Sequence, residues 1–158
     1  MSTLIAYATK YGFTKTCAGM LAKKLDGEAD ICDLSKSHPD PAQYDKVIIG
    51  GSIYAGRIRK PVTRFCAENL HTLKNKKLGL FICGMAEGDN AQRQLEASFP
   101  KELLSAAVAR ESFGGGYDLH QMNFFENFIM RKISGSDENR SRIMEENMTR
   151  FAGQMDGM

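Results

Sequence analysis

Apolar residues along this chain alternate between short unbroken runs and longer stretches in which they recur every three or four positions. Residues 3–8 form a run bounded by a polar, glycine-containing turn, the pattern of a strand buried on both faces. Cys17, Leu21 and Leu25 then recur every fourth residue, which predicts the core face of a helix. A weaker run at 29–33 predicts a second strand, followed by a loop holding Pro39 and Pro41. Residues 46–51, with Val47, Ile48 and Ile49 in succession, predict the third. Val62, Phe65, Cys66 and Leu70 mark the next helix, and Pro61 suits its first turn. Residues 78–83 predict a fourth strand, 91–99 a helix, and 106–113 a fifth strand ending at Gly114, Gly115 and Gly116. A closing helix is expected from about 137 to 155, with Met144, Met148, Phe151 and Met155 on one face. Between the glycines and that helix, Phe124, Phe125, Phe128, Ile129 and Ile133 at near-helical spacing predict an extra amphipathic helix across 117–134. Strand and helix alternating in this way predict an α/β chain, a doubly wound five-stranded parallel sheet with helices on both faces. No repeat or linker interrupts it, so residues 1–158 are expected to form a single domain.

Composition narrows the function. At 158 residues, 42% hydrophobic and 25% charged, the chain has the balance of a soluble globular protein. No apolar stretch is long enough to span a bilayer, and the opening run lacks the features of a signal peptide. Cys17, Cys32, Cys66 and Cys83 form no Cys-x-x-Cys pair and each lies in an apolar stretch, which predicts buried thiols in a reducing, cytoplasmic setting. No metal site is expected. A net charge of +2 gives no footprint for nucleic acid.

An open parallel sheet binds its ligand beyond the carboxyl ends of its strands, where the order of winding reverses. Three loops are expected to meet there. The first is Thr9-Lys10-Tyr11-Gly12-Phe13-Thr14. Its hydroxyls, its glycine and the helix N-terminus after it suit a phosphate, and equally suit an ordinary strand–helix turn capped by Thr14. The second is Ser52-Ile53-Tyr54-Ala55-Gly56, in which Tyr54 can lie against a planar heterocycle or pack on a neighbouring helix. The third, Cys83-Gly84-Met85 continuing to Asp89, offers an exposed backbone edge and a soft apolar contact. Other users of such a sheet are excluded. A phospho-acceptor domain needs clustered acids after strand one, where Thr9 and Lys10 stand. A low-molecular-weight phosphatase needs Cys six residues before Arg, and Lys23, His38, Thr72 and Asp89 occupy those positions.

The succession Thr-x-x-Gly-x-Thr after strand one, Gly-Gly-Ser-Ile-Tyr-x-Gly after strand three and Cys-Gly after strand four resembles the flavodoxin family over nearly the whole chain. Within that family the chain is most similar to the single-domain flavodoxins that include menaquinone-dependent protoporphyrinogen IX dehydrogenase. The segments 51–56 and 125–135 carry this closer likeness. The resemblance implies a flavodoxin-like sheet of strand order 2-1-3-4-5 and one noncovalent FMN. It puts the FMN phosphate on Thr9, Lys10, Tyr11, Gly12, Phe13 and Thr14. It puts the isoalloxazine ring between Ser52, Ile53, Tyr54, Ala55, Gly56 and Cys83, Gly84, Met85, with no catalytic residue beyond the flavin. Two features differ from the family pattern. Arg57, Arg59, Lys60 and Arg64 make the surface after the second loop basic where many electron-carrier flavodoxins are acidic, and 87–110 is short for the insertion of the protoporphyrinogen enzymes. The expected function is electron transfer between redox partners, with FMN-dependent, quinone-linked protoporphyrinogen IX oxidation in haem biosynthesis as the alternative. A redox protein or a small-molecule or quinone acceptor is the implied partner. Phe124, Phe125, Phe128 and Ile129 are candidates for peripheral membrane contact.

Overall fold

The computed structural model describes residues 2–117 and 140–157. Strands β1 (Thr3–Ala8), β2 (Ala29–Asp33), β3 (Lys46–Tyr54), β5 (Lys77–Cys83) and β6 (Ala109–Ser112) form a parallel sheet in the order β2-β1-β3-β5-β6. The two-residue strand β4 (Arg57–Ile58) pairs antiparallel with the end of β3. Leaving β4 aside, this is the expected order, with winding reversed between β1 and β3. A separate antiparallel pair, β7 (Gly114–Tyr117) and β8 (Arg140–Ile143), follows β6.

Side chains of the central strands alternate between two cores. Leu4, Ala6, Val47, Ile49, Leu78, Leu80 and Ile82 face one layer of helices: α2 (Lys60–Glu68), α3 (Leu70–Lys74), α4 (Gly88–Ser98) and α5 (Lys101–Ala106). Ile5, Tyr7, Ile48, Phe81 and Cys83 face α1 (Phe13–Lys24) and α6 (Glu145–Asp156). Burial on both faces explains why β1, β3 and β5 read as unbroken apolar runs. On the second face Phe81 stacks on Phe113 at 4.5 Å, and Phe151 meets both rings edge-on at 6.1 and 5.2 Å. This cluster pins α6 to the sheet, and burial of each ring contributes about 2–3 kcal/mol.

Several boundaries differ from expectation. Ser52, Ile53 and Tyr54 belong to β3 and not to a loop, because Tyr54 and Arg57 close a hairpin around Ala55 and Gly56. Gly88 and Asp89 open α4 instead of ending the third loop. The closing helix starts at Glu145, since 140–143 pair with the glycine strand β7. Cys17, Cys66 and Cys83 are buried, whereas Cys32 is half-exposed on edge strand β2. The extra amphipathic helix expected across 117–134, with its candidate membrane-contact residues, lies outside the described residues beyond Tyr117. No helix among the described residues is long and apolar enough to cross a membrane.

Candidate functional site

The register of the sheet sets the site. Ala8 is level with Gly51, and Ser52 with Cys83, so the chain leaves β1, β3 and β5 at one carboxyl edge. All three candidate segments therefore converge there.

After β1 the chain turns through Gly12, which is left-handed (φ 88°) and forms the N-cap of α1 without a side-chain cap. A residue bearing a Cβ is disfavoured by roughly 1–2 kcal/mol in that conformation. Thr14 is not the cap. Thr9 instead accepts a hydrogen bond from the Gly12 N–H at 3.1 Å, which folds the loop back on itself. The first turn of α1 holds no acidic residue, so the positive end of the helix is not neutralised from within. Inside that turn the Thr14 side chain is fully buried, and its hydroxyl has no hydrogen-bond partner among the described residues. A buried donor and acceptor left unmatched costs about 1–3 kcal/mol. Ser52 Oγ and Gln94 Oε1 are likewise buried and unpartnered among the described residues. Orphaned hydroxyls beside open helix N–H groups are the donor set that an oxyanion requires.

The first and second segments meet through aromatic rings. Tyr11 approaches Tyr54 edge-on at 6.1 Å, and the Lys10 ammonium lies 4.3 Å from the Tyr54 ring centre and 5.5 Å from that of Tyr11. The Arg59 guanidinium approaches Tyr54 at 6.0 Å. Tyr54 remains 42% exposed, a planar, cation-flanked face at the rim. The hairpin beneath it turns through Ala55 (φ 52°) and Gly56 (φ 79°), both left-handed. Alanine holds this conformation only against strain of about 1–2 kcal/mol, and such strain gathers at functional turns.

The second and third segments meet at Gly84, where a Cβ would come within 3.2 Å of Ile53 Cβ and 3.3 Å of Gln94 Oε1. Gly84 N–H donates to the Gly114 carbonyl at 2.9 Å, and a Cβ on Gly115 would collide with the Gly84 carbonyl. The glycine strand β7 thus braces the third segment from behind. Burial pushes the Cys83 thiol well above its ordinary pKa, and neighbouring Cys17 adds to this. Such burial holds Cys83 as a neutral thiol packed in the second core. Met85, in the third segment, is 59% exposed and offers an apolar surface to solvent.

Sequence reasoning missed Gln94 and the Gly114–Gly115 brace. Gln94 carries a weak signal, a polar residue beside the buried stripe of Ala91 and Leu95. The glycines carry none, since a strand without side chains shows no alternation.

Comparison with known proteins gives a consistent picture. Residues 4–143 match a family model described as a flavodoxin domain. Protoporphyrinogen IX dehydrogenase [quinone] of Escherichia coli strain K12 is 22% identical over 157 residues, covering 91% of this chain and 87% of the relative. A flavodoxin of Streptococcus pneumonia TIGR4 superposes with a TM-score of 0.62 at 15% identity, over 98% of this chain and 95% of that one. A flavoprotein of Lactobacillus acidophilus NCFM, solved in complex with FMN, gives 0.53 at 14% identity, over 70% and 92%.

Proposed function

This chain belongs to the flavodoxin domain family, and from that membership we propose that it binds one FMN noncovalently at the carboxyl edge of its sheet and passes electrons through it. The observation that carries the reading is the fully buried Thr14 hydroxyl, unpartnered among the described residues, inside an acid-free helix N-terminus. Thr9, Gly12 and Thr14, with the N–H groups of α1, hold the phosphate. Lys10 and Tyr11 close over it, and Phe13 anchors the first turn. Tyr54 and the Ala55–Gly56 turn flank the ring system on one side, and Cys83, Gly84 and Met85 on the other. When bound, FMN supplies the electron-accepting chemistry, and the protein positions it and controls its access to water.

Titration of apoprotein with FMN and with riboflavin tests this. FMN is expected to bind at least roughly a hundredfold tighter, as two or three charge-assisted hydrogen bonds to phosphate would provide. Equal binding of both flavins, or of neither, would sink the proposal.

A second reading is favoured by the likeness to the protoporphyrinogen IX dehydrogenase, which extends over most of both chains. In that reading the same flavin oxidises a porphyrinogen and hands its electrons to a quinone. An assay of protoporphyrinogen IX oxidation with a quinone acceptor separates the enzyme from the carrier.

A further inference from the structure

Beside Tyr54 a groove of about 1100 Å³ runs between α2 and the end of α4. Arg57, Arg59, Lys60 and Arg64 line it, and no Asp or Glu does. Among the described residues none of these four cations is ion-paired. Ala67 on α2 and Ala97 on α4, both small and exposed, keep the two helices from filling the space between them. Apolar surface dominates the lining, so the groove combines an apolar floor with a cationic rim.

We propose that this groove docks an acidic, apolar-anchored segment of a redox partner protein. The proposal deepens the flavin reading and rests on it for what docking accomplishes, since Tyr54 and Gly56 belong both to the groove and to the flavin rim. Unpaired like charges repel one another, and an anionic partner relieves that repulsion while accelerating encounter. Concavity favours a protein segment over a lipid surface, because a bilayer laid across the groove would leave its floor uncovered. The partner therefore carries carboxylates spaced along one face and apolar side chains on the other. This inverts the charge pattern in which an acidic carrier meets a basic partner.

The test uses FMN-loaded protein and a fluorescein-labelled amphipathic peptide of glutamate and leucine. A peptide with lysine in place of glutamate, phosphatidylglycerol vesicles and citrate serve as competitors. Binding of the glutamate peptide is expected to weaken steeply with salt. In the Arg57→Glu/Arg64→Glu double variant its affinity should fall roughly tenfold at low salt, with a flatter salt slope. Unchanged affinity in that variant, equal binding of the lysine peptide, displacement by citrate, or preference for the vesicles would each overturn the proposal. Flavin absorbance of both proteins is read in parallel. Protein that takes up no FMN refutes the flavin reading, while the peptide titration still decides the groove.

Discussion

At the scale of single residues, the Thr14 hydroxyl opposes two demands. It is buried without a partner among the described residues, so its removal relieves a desolvation penalty of about 1–3 kcal/mol. With phosphate present, it becomes a hydrogen-bond donor at an anion. Thr14→Val keeps the shape and deletes the hydroxyl. The apoprotein is therefore expected to melt at the same or a higher temperature, while FMN affinity falls roughly tenfold or more and riboflavin affinity stays unchanged. Thermal melts and flavin titrations of the one variant check both halves. A variant less stable as apoprotein, with FMN affinity intact, would assign the hydroxyl to folding alone. The same opposition applies to Ala55, held left-handed at φ 52° beside the proposed ring site. A turn that suited stability alone would place asparagine or glycine there.

At the scale of elements, the glycine strand β7 determines where the third loop lies. A Cβ on Gly115 would collide with the Gly84 carbonyl and stand 2.8 Å from the Met85 nitrogen, both of them backbone. Backbone cannot swing aside as a long side chain can. Gly115→Ala is thus expected to displace the loop, with destabilisation of about 1–3 kcal/mol and a clear loss of FMN affinity. Denaturant unfolding and FMN titration measure the two effects; a variant as stable and as avid as the parent would show that β7 does not brace the site. Such elements mark the limit of what the sequence reveals. Strands β1, β3 and β5 were legible because both faces are buried, and the strand order followed from the family resemblance. The 52–58 hairpin was not legible. Ile53 and Ile58 lie in a short strand extension whose pairing depends on the Ala55–Gly56 turn, and Gly56 alone reads as a loop. Helix α5 is only six residues long, too short for its period to show. Strand β8, with Arg140 and Arg142 in four residues, has a polar pattern that blends into the expected helix. The convergence of the first two segments was anticipated, but the Lys10–Tyr54 contact depends on tertiary placement that no spacing encodes.

At the scale of the whole molecule, the tight two-sided packing of the sheet couples stability to alkaline pH. Cys66 on α2 is buried in the first core, and burial pushes its thiol up from 9.0 to about 12. Tyr44 donates a hydrogen bond to the Asp30 carboxylate at 2.7 Å, chiefly for which its phenol rises from 10.0 to about 12. Cys83 shifts in the same direction through burial. Each group keeps its proton in the folded protein at a pH where the unfolded chain has released it. The folded state then binds more protons, so stability falls as pH rises. The window follows from the values: the contributions are complete below about 9 and are lost progressively toward about 12. Urea midpoints are accordingly expected to decline from pH 9 upward, first through Cys66 and then, above 10, through Tyr44 as well. Cys66→Ala lowers stability at neutral pH by leaving a small void, yet its decline between pH 9 and 10 should be shallower than the parent's. Tyr44→Phe should flatten only the later part of the curve. If both variants follow the parent's pH dependence throughout, proton linkage at these groups is not what limits the fold at high pH.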